Sequence, residues 1–476
     1  MVAAATGPPL VVDLDGTLVK TDLLIESFFA LIKKNPLYII AVPFWLVRGL
    51  AYMKRQISER LVLDATILPY HDDLLDYLKA QRALGRGMLL ATGSDERIAR
   101  QVADFLNLFD GVLASDGVIN LSGRKKRDRL VARFGEKGFD YAGNHRRDLS
   151  VWSSARKALV VNPSRSLLRK VAQVTEIEQV FNGRPQGLKS YVRALRLHHW
   201  LKNLLVFVPL LTAHRFSEPA MLARNFLAFL SFGLCASSVY LINDMVDLPA
   251  DRRHPWKRHR PFAAGELSLF LGIASIPLLL GSSLLVSLML PRPFLGMLVI
   301  YYLLTLGYSF TLKRIVLLDV IVLAGLYTMR IMAGSASIAI WPSPWLLAFS
   351  TFLFVSLALV KRYAELLTMS AAEGEQAQVR GYNVADRDLL ASMGTGSGYV
   401  AVLVLVIYIS SGKAEMHYSR HQLIWLLCPL LLYWISYVWL TAHRGAMPDD
   451  PVVFTARDLV SRVVIVLSVL ILALAM

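Results

Sequence analysis

The chain has 476 residues, a net charge of +16, a hydrophobic fraction of 55% and a charged fraction of 18%. Because soluble domains are on average less apolar and more charged, this composition indicates a membrane protein, and the length exceeds that of one ordinary domain. Two cysteines, Cys235 and Cys428, both lie in apolar runs. They exclude a disulfide framework and a zinc site, and we expect them to be small core residues.

The excess positive charge could bind nucleic acid, anionic lipid or phosphorylated substrates. The sequence contains no nucleic-acid motif, and from Leu204 onward the basic residues cluster in loops between apolar runs. This pattern favours membrane lipids and phosphorylated substrates as partners and argues against nucleic acid. Residues 1–190, in contrast, carry charges throughout, so the chain has two unlike parts.

The N-terminal part has the pattern of a soluble domain. Its first residues, MVAAATGPPLVV, lack the basic segment and long apolar stretch of a signal peptide, so we expect this part to stay in the cytosol. Short apolar runs at residues 10–12, 87–91, 139–142 and 158–161 alternate with helical patterns. This alternation predicts an α/β fold with a parallel sheet and helices on both faces.

An insertion from about residue 27 to residue 78 follows the first predicted strand. Its apolar stretch at residues 37–53 is interrupted by Pro43, Arg48 and Gly49, and it is too short and too broken to be predicted as a membrane span. We interpret it as a helical cap, and a helix on the membrane surface is the alternative.

The segment DLDGT begins at Asp13, directly after the first predicted strand. A turn at Gly16 can splay the two carboxylates apart, so that Asp13 attacks a phosphorus atom while Asp15 manages the proton of the leaving group. Thr92, at the end of the second predicted strand, could hydrogen-bond a phosphoryl oxygen. A lysine could neutralise the same group, and Lys126 is preferred for this role.

Further candidates lie later in this part of the chain. Lys137 is the second choice for the phosphate-binding lysine. Asn144 and Asp148 would complete a Mg²⁺ site with Asp13 and Asp15, because Mg²⁺ prefers oxygen ligands. The competing interpretation is an inactive regulatory domain in which the two aspartates only cap a helix and a turn.

In this order, the segments resemble the haloacid dehalogenase (HAD) superfamily of aspartyl-phosphate phosphatases over about residues 9–165. The resemblance implies that Asp13 is the nucleophile, Asp15 the general acid/base and Asp148 a metal ligand, with Thr92 and Lys126 as phosphate binders. The family often has aspartate after the glycine of its last motif, where this chain has Asn144. An amide oxygen can still bind the metal, but one negative charge is lost.

The C-terminal part has the pattern of a membrane bundle. We predict an N-terminal domain at residues 1–181, a linker at residues 182–190, where NGRPQGLKS is rich in glycine, proline and polar residues, and a transmembrane domain at residues 191–476. Nine apolar segments approximate the length that a helix needs to cross a bilayer. They lie at about residues 201–216, 222–243, 267–290, 294–310, 315–334, 343–360, 389–411, 421–441 and 458–475.

Loop charges test this topology. If the N-terminal domain is inside, the loops after the second, fourth, sixth and eighth spans are also inside. These loops carry Arg252, Arg253, Lys257, Arg258 and Arg260, then Lys313 and Arg314, then Lys361, Arg362, Arg380 and Arg387, then Arg444 and Arg457. The opposite loops hold few basic residues, so the positive-inside rule predicts that the N-terminal domain is in the cytosol. We expect an integral protein of the bacterial inner membrane.

An acidic cluster ends the second predicted span. On a continuous helix, Asp244, Asp247 and Asp251 would share one face, but Pro249 disfavours helix at the residue before it. We therefore expect helix through Asp247 and a turn at Asp251. Three neighbouring carboxylates at membrane depth repel one another unless cations bind. They suit Mg²⁺, which in turn can hold a diphosphate.

Basic and polar residues accompany this cluster. The run RRHPWKRHRP follows at once, and a basic loop beside an acidic cluster suits a Mg²⁺–diphosphate complex. The predicted substrate-binding residues are Lys202, Asn243, Lys257, Arg258, Arg260, Tyr308, Lys313 and Asp319. As alternatives, the basic loop residues only set the topology, and Asp319 is a structural residue at a helix start.

The pattern NDxxDxxxD with a basic loop, followed by YxxxxK and an aspartate in a later span, resembles the UbiA superfamily of intramembrane prenyltransferases over nearly all of residues 190–476. The resemblance implies two aspartate-rich motifs that hold Mg²⁺ and a diphosphate, with Asp244 and Asp247 as catalytic residues. The usual second motif is DxxxD. Here Asp319 stands alone, because Leu323 occupies the position four residues later.

Within that superfamily, the runs NDMVDLPADRRHPWKRHRPFAAGELS and YSFTLKRIVLLDVIVLAGLYTMRIMAG, and ALVKRYAEL followed by RGY, are similar to decaprenyl-phosphate phosphoribosyltransferases. This similarity implies phosphoribosyl diphosphate as donor and a polyprenyl phosphate as acceptor. The hypothesis that follows is Mg²⁺-dependent transfer of 5-phosphoribose to the lipid, after which the HAD-like domain removes the 5-phosphate.

Two other functions stay open. One is prenylation of an aromatic acceptor such as 4-hydroxybenzoate from a polyprenyl diphosphate, with a separate phosphatase activity, although the lone Asp319 counts against it. The other is a transporter of lipids or phosphorylated metabolites with a regulatory domain. Transporters tend to contain internal repeats, and none is evident in this sequence.

Overall fold

Apolar residues in the N-terminal part form a six-stranded parallel sheet. Its strands are β1 (Leu10–Val12), β2 (Met88–Asp95), β3 (Gly111–Ser115), β4 (Asp140–Gly143), β5 (Lys157–Val161) and β6 (Glu176–Phe181). The order across the sheet is β3-β2-β1-β4-β5-β6, and every neighbouring pair is parallel. The predicted parallel sheet is confirmed, and β3 and β6 are strands that the sequence analysis did not predict.

The structure is a computed structural model that describes residues 7–183, 187–373, 378–448 and 450–476. Residues 1–6, from which a cytosolic N-terminus was predicted, and residues 184–186 of the predicted linker lie outside it. The described chain divides into two compact units. The first contains residues 7–183 and 187–195 together with Tyr240–Ile276, and the second contains the remaining described residues.

Alternating side chains build a core on each face of the sheet. Leu10 and Val12 of β1 point into one cluster, whereas Val11 points into the other, as the two-residue period of a strand requires. The helices of this part are α1 (Leu23–Lys34), α2 (Tyr38–Val47), α3 (Leu50–Ser58), α4 (Asp72–Ala83), α5 (Glu96–Leu106), α6 (Arg124–Phe134), α7 (Leu149–Trp152), α8 (Arg165–Val174) and α9 (Leu188–Leu195).

The predicted insertion begins within α1 and contains α2 and α3. Asp22 caps α1, because its carboxylate accepts a hydrogen bond from the backbone of Ile25. Leu31 of α1 packs with Met53 and Ile57 of α3. Helix α2 follows α1 after a short turn and buries none of its residues.

The rest of the chain is helical. Its elements are a 3₁₀ helix (Leu197–Phe207), α10 (Val208–Thr212), α11 (Pro219–Val246), α12 (Leu248–Arg253), α13 (Leu269–Ser287), α14 (Arg292–Phe310), α15 (Leu318–Ser337), α16 (Pro344–Glu373), α17 (Arg387–Ser410), α18 (Leu427–His443), α19 (Pro451–Arg457) and α20 (Leu459–Ala475). Two short antiparallel strands, β7 (Gln378–Val379) and β8 (Tyr382–Asn383), lie between α16 and α17.

The prediction of nine spans is not confirmed. Among the described residues, seven helices are long and apolar enough to cross a membrane, or up to eight if α19 and α20, which meet at an 80° bend, count as one span. The first predicted span, residues 201–216, is divided between the 3₁₀ helix and the five-residue α10. Pro209 lies in the first turn of α10, where its missing N–H is tolerated.

Close packing in the membrane bundle depends on Gly334 of α15. A Cβ atom at this position would lie closer than 3 Å to the backbone of Val206. We therefore expect Gly334→Ala to lower the free energy of unfolding by about 1–3 kcal/mol, measured by thermal unfolding of the detergent-solubilised protein. Gly325→Ala is the matched control, because this glycine lies on the same helix and has no atom within 4 Å of a Cβ. Equal stability of the two variants would contradict the expectation.

Candidate active sites

The carboxyl ends of β1, β2 and β4 bring several predicted residues together. β1 pairs with β2 on one side and with β4 on the other, so the residues that follow these strands meet at one edge of the sheet. Asp13 accepts a hydrogen bond from the ammonium of Lys126 at 2.8 Å, and both side chains are buried. The preferred lysine therefore contacts the predicted nucleophile.

Tyr141, which was not predicted from the sequence, connects this pair to Asp148. Its hydroxyl accepts a hydrogen bond from Lys126 at 3.0 Å and donates one to Asp148 at 3.0 Å. Asp148 also accepts backbone N–H groups from Asn144 at 3.2 Å and His145 at 2.9 Å. The period of β4, which places Tyr141 two residues before Gly143, is the signal that could have identified it.

Asp15 lies among hydrogen-bond donors. Its carboxylate accepts from the hydroxyls of Ser94 at 2.6 Å and Thr92 at 3.3 Å, and from the backbone N–H of Leu23 at 2.8 Å. Thr92 was predicted to bind phosphate, whereas Ser94 was not predicted. The second-choice lysine, Lys137, donates to the backbone carbonyls of Ser153 and Ala155 instead, and this geometry favours Lys126.

The turn after Asp15 brings the first and last motifs into contact. Gly16 has a φ of +70°, which suits glycine, and a Cβ atom at this position would overlap the side-chain amide of Asn144. Asn144, the residue that departs from the HAD pattern, therefore packs directly against the DLDGT turn. A cavity of about 1060 Å³ borders both residues and also reaches Gly265.

Electrostatic interactions tune this site. Burial raises the pKa of Asp13 to about 7; Lys126 opposes this shift, and Asp148 and Asp15 add to it. Lys54 of α3, which the sequence analysis did not single out, donates to the carbonyl of Gly93 and to Asn120 at 2.8 Å. Burial lowers the pKa of Lys54, although Asp15 favours its charged form.

The donor set at this site fits a hard cation. Among the described residues, no three His, Cys, Asp or Glu side chains are arranged as a metal cluster. Asp13, Asp15, Asp148 and Asn144 nevertheless offer oxygen atoms, which Mg²⁺ prefers. The carboxylates of Asp15 and Asp148 both disfavour ionisation of Asp13, and a bound cation would relieve that repulsion. The predicted Mg²⁺ site stays a prediction.

The acidic cluster begins at the end of α11, and Asn243 lies on that helix one residue before Asp244. Helix α11 ends at Val246, and α12 continues from Leu248, so Asp251 lies on a helix and the predicted turn there is wrong. The reason is that Pro249 falls in the first turn of α12, where proline is compatible with helix. Asp244 and Asp251 are buried.

Basic side chains neutralise each carboxylate of this cluster. Arg260 donates to Asp251 at 2.6 Å and to Asp244 at 3.4 Å. Lys33, in the last turn of α1, donates to Asp247 at 2.7 Å. Of the three basic residues predicted to bind the donor in this loop, Arg260 reaches the carboxylates, whereas Lys257 and Arg258 lie on the preceding 3₁₀ turn.

The insertion of the α/β part holds this segment through a second ion pair. The guanidinium of Arg252 donates to both carboxylate oxygens of Glu26, at 2.6 and 3.0 Å, and its Nε donates to the carbonyl of Ala263 at 3.0 Å. Both charged side chains are about 96% buried. Helix α1 and the acidic motif therefore belong to one packed unit.

We expect Glu26→Gln to lower the free energy of unfolding of this unit by about 3–5 kcal/mol, because it leaves the buried charge of Arg252 without its partner. Asp64→Asn is the matched control. It removes the exposed pair with Arg253 at 2.7 Å, and exposed pairs contribute about 0–1 kcal/mol. Thermal unfolding of both variants would measure the difference. If Glu26→Gln were as stable as Asp64→Asn, the ion pair would not hold the segment.

In the second unit, Asp319 is locked in a buried network. Its carboxylate pairs with Arg362 and accepts a hydrogen bond from the hydroxyl of Tyr382 at 2.6 Å. Arg362 also donates to Tyr308 at 2.9 Å and pairs with Glu365. These contacts favour the structural interpretation of Asp319. Lys313 lies on the 3₁₀ turn before α15.

Lys202 belongs to a second buried cluster of this unit. Its ammonium pairs with Asp450, and Lys361 lies 4.0 Å from the same carboxylate. Asp450 also accepts backbone N–H groups at the start of α19. Burial opposes the ionisation of Asp450, but Lys202 and Lys361 outweigh it and lower the pKa of that carboxyl. Asp450 was not predicted from the sequence, although an aspartate before Pro451 is a typical helix cap.

The apolar helices make the chain an integral membrane protein. The profile of the UbiA prenyltransferase family matches residues 204–457. The chain is 34% identical to the uncharacterised protein y4nM of Sinorhizobium fredii, over 94% of this chain and 87% of that protein. It is 35% identical to the nodulation protein NoeC of Azorhizobium caulinodans, over 56% of this chain and 87% of that protein.

A third relative is the decaprenyl-phosphate phosphoribosyltransferase of Mycolicibacterium smegmatis, which is 35% identical over 44% of this chain and 66% of that enzyme. The family profile covers more than half of the chain, and the similarity to y4nM extends over nearly all of it. The chain therefore belongs to the UbiA prenyltransferase family.

Proposed function

We propose that the chain transfers 5-phosphoribose from phosphoribosyl diphosphate to a polyprenyl phosphate, and that its α/β part then removes the 5-phosphate. The observation that carries the first step is the pairing of Asp244 and Asp251 with Arg260. The similarity of this chain to a decaprenyl-phosphate phosphoribosyltransferase supports it. A donor with a diphosphate at one end and a phosphate at the other needs both acidic metal ligands and nearby cations.

The transfer exchanges one C1–oxygen bond for another. An oxygen of the lipid phosphate attacks C1 of the ribose, the bond to the diphosphate breaks, and the diphosphate leaves with its electron pair. Asp244, Asp247 and Asp251 would hold Mg²⁺, which when bound neutralises the leaving diphosphate. Arg260 lies beside these carboxylates and would bind the phosphate oxygens.

The second step takes place at the end of β1. Asp13 attacks the phosphorus of the 5-phosphate while Asp15 gives a proton to the departing ribose oxygen. Lys126 and Thr92 would bind the phosphoryl oxygens. Water then attacks the aspartyl phosphate, Asp15 takes the proton of that water, and inorganic phosphate leaves. The ribosyl lipid remains without its 5-phosphate.

Helix α1 contacts both candidate sites within the first unit, the DLDGT site at its start and the acidic cluster at its end. The backbone N–H at its start, at Leu23, donates to Asp15, and Lys33 in its last turn donates to Asp247. Ten residues of helix separate Leu23 from Lys33, a rise of about 15 Å. This short separation supports consecutive use of the two sites, because a tethered second site sees the first product at high local concentration.

The proposal places the acidic motif and the α/β part at the cytosolic face of a bacterial inner membrane. The connections that follow α11, α14, α16 and α18 carry nine basic residues, whereas those that follow α10, α13, α15 and α17 carry three, as the positive-inside rule requires. Helix α11 would then start outside. The segment from Leu197 to Thr212 would make the crossing before it, because its 3₁₀ and α-helical residues together rise about 30 Å, the thickness of the hydrocarbon core.

A donor assay tests the first step. Membranes that contain the chain are incubated with Mg²⁺, a polyprenyl phosphate and phosphoribosyl diphosphate labelled in the ribose. We expect label in the organic phase only when the lipid phosphate is present, and release of inorganic phosphate from that lipid. The proposal would be wrong if no labelled lipid formed and the chain instead prenylated 4-hydroxybenzoate from a polyprenyl diphosphate. The function would then be aromatic prenylation.

A further inference from the structure

Helix α2 is apolar on all sides. Tyr38, Val42 and Trp45 are partly buried against the cluster of Leu31, Met53 and Ile57, and most of its other side chains are exposed. Its sequence, YIIAVPFWLV, contains no charged residue, and none of its side chains is buried. The exposed fraction is 61% for Ile40, 67% for Phe44 and 88% for Val47. A helix on the surface of a soluble domain normally buries an apolar stripe, and a contiguous exposed apolar patch marks a surface that meets lipid or protein.

The contacts of α1 place α2 near the end of a membrane span. Lys33 donates to Asp247 at 2.7 Å, and Asp247 directly follows α11, a candidate span. Helix α2 begins at Tyr38, five residues after Lys33. Because consecutive Cα atoms are 3.8 Å apart, the Cα atom of Tyr38 lies within about 19 Å of that of Lys33. The buried pair of Glu26 with Arg252 fixes α1 in this position.

The length and the ends of α2 favour the bilayer surface. Ten residues rise about 15 Å, half the thickness of the hydrocarbon core, so α2 is too short to span it. Lys34 precedes the helix and Arg48 follows it. Tyr38 and Trp45 pack together, and the guanidinium of Arg60 lies 4.9 Å from the centre of the Trp45 ring. Aromatic and basic residues beside an apolar helix are typical of the membrane interface.

We propose that α2 lies in the boundary between lipid headgroups and acyl chains and anchors the α/β part to the bilayer. The occupant of its apolar surface is lipid. This anchoring is independent of the reaction that the chain catalyses. It keeps the end of β1, where the DLDGT turn lies, close to the bilayer.

Site-specific labelling in lipid nanodiscs tests the proposal on the full chain. An environment-sensitive fluorophore is attached to Phe44→Cys, and separately to Val47→Cys in case the first variant folds poorly. Leu84→Cys is the matched control, because Leu84 is 67% exposed and precedes the amino end of β2, the edge of the sheet opposite to the insertion. The unsubstituted chain serves as the blank, since Cys235 and Cys428 are buried.

We expect the label at position 44 or 47 to emit at shorter wavelength than the label at position 84. We also expect brominated lipids to quench it at least threefold more strongly. Emission and quenching equal to those of the control would overturn the proposal. A shorter wavelength without quenching by brominated lipid would also overturn it, because protein rather than lipid would then cover the helix.

Discussion

We expect Asp244→Ala to slow the transfer of labelled phosphoribose to the lipid by about 10³-fold. The carboxylate is buried at the end of a membrane span and would help to hold the cation that neutralises the leaving diphosphate. Such neutralisation contributes several kcal/mol in the transition state, and each 1.4 kcal/mol corresponds to a tenfold change in rate. The measurement is the initial rate of label transfer to the organic phase.

Asp128→Asn controls for the loss of a negative charge, because this exposed aspartate pairs only with its neighbour Arg127 in the described contacts. We expect its transfer rate to be unchanged. Two further measurements separate loss of the site from loss of the fold. Calorimetry measures the binding of phosphoribosyl diphosphate in the presence of Mg²⁺, and thermal unfolding shows whether the variant is folded. Transfer by a folded Asp244→Ala variant at the rate of the unsubstituted chain would refute the role of the cluster.

The second large effect concerns Asp13→Asn. This change keeps the shape of the side chain but removes the nucleophile, and we expect dephosphorylation to fall by about 10³-fold or more. Transfer to the lipid should continue, so the 5-phosphorylated lipid accumulates in place of the dephosphorylated one. Chromatography of the labelled lipids over time measures the ratio of the two products.

Asp116→Asn is the control for this experiment. Asp116 is an exposed residue of the α/β part whose carboxylate accepts backbone N–H groups from Val118 and Ile119. We expect it to leave the product ratio unchanged. If Asp13→Asn and the unsubstituted chain gave the same ratio while both made the lipid, the α/β part would not act on the product of the transferase.

The two experiments together separate the steps of the proposal. Asp244→Ala should remove both lipids, whereas Asp13→Asn should remove only the second. Because Asp15 and Asp247 contact opposite ends of one 12-residue helix, a lipid-linked product needs to move only a short distance between the sites. A soluble phosphate ester that competes for the phosphatase site should therefore inhibit the second step only weakly. It should inhibit more strongly if the two sites were on separate proteins.

The strand pattern and the charged motifs could be predicted from the sequence because they depend on local order. The apolar run before Asp13 and its alternation with helices predicted the parallel sheet, since a strand that is buried on both faces needs such a run. The spacing of Asp244 and Asp247 predicted carboxylates at a helix end. Strands β3 and β6 escaped prediction because they are only partly buried and lack a long apolar run.

The partners of those motifs depend on long-range contacts, which no local pattern encodes. Tyr141, Ser94 and Lys54 reach the DLDGT site from three different elements, and Asp450 reaches Lys202 from the far end of the chain. The carboxylate of Asp319 likewise accepts hydrogen bonds from Arg362 and Tyr382, which lie 43 and 63 residues later in the chain. Sequence spacing gives no information on which of many basic residues will pair with a given carboxylate.

By itself the sequence determined that this protein joins a parallel α/β part to a membrane bundle with acidic and basic residues at a span end, because these features follow from hydrophobic period and composition. Only the tertiary structure decided that the segment from Tyr240 to Ile276 packs with the α/β part, through Lys33 and the buried pair of Glu26 with Arg252. The reason is physical. Burying a charge is costly unless a partner of opposite sign is buried with it, and only the folded chain brings together partners that lie more than 200 residues apart.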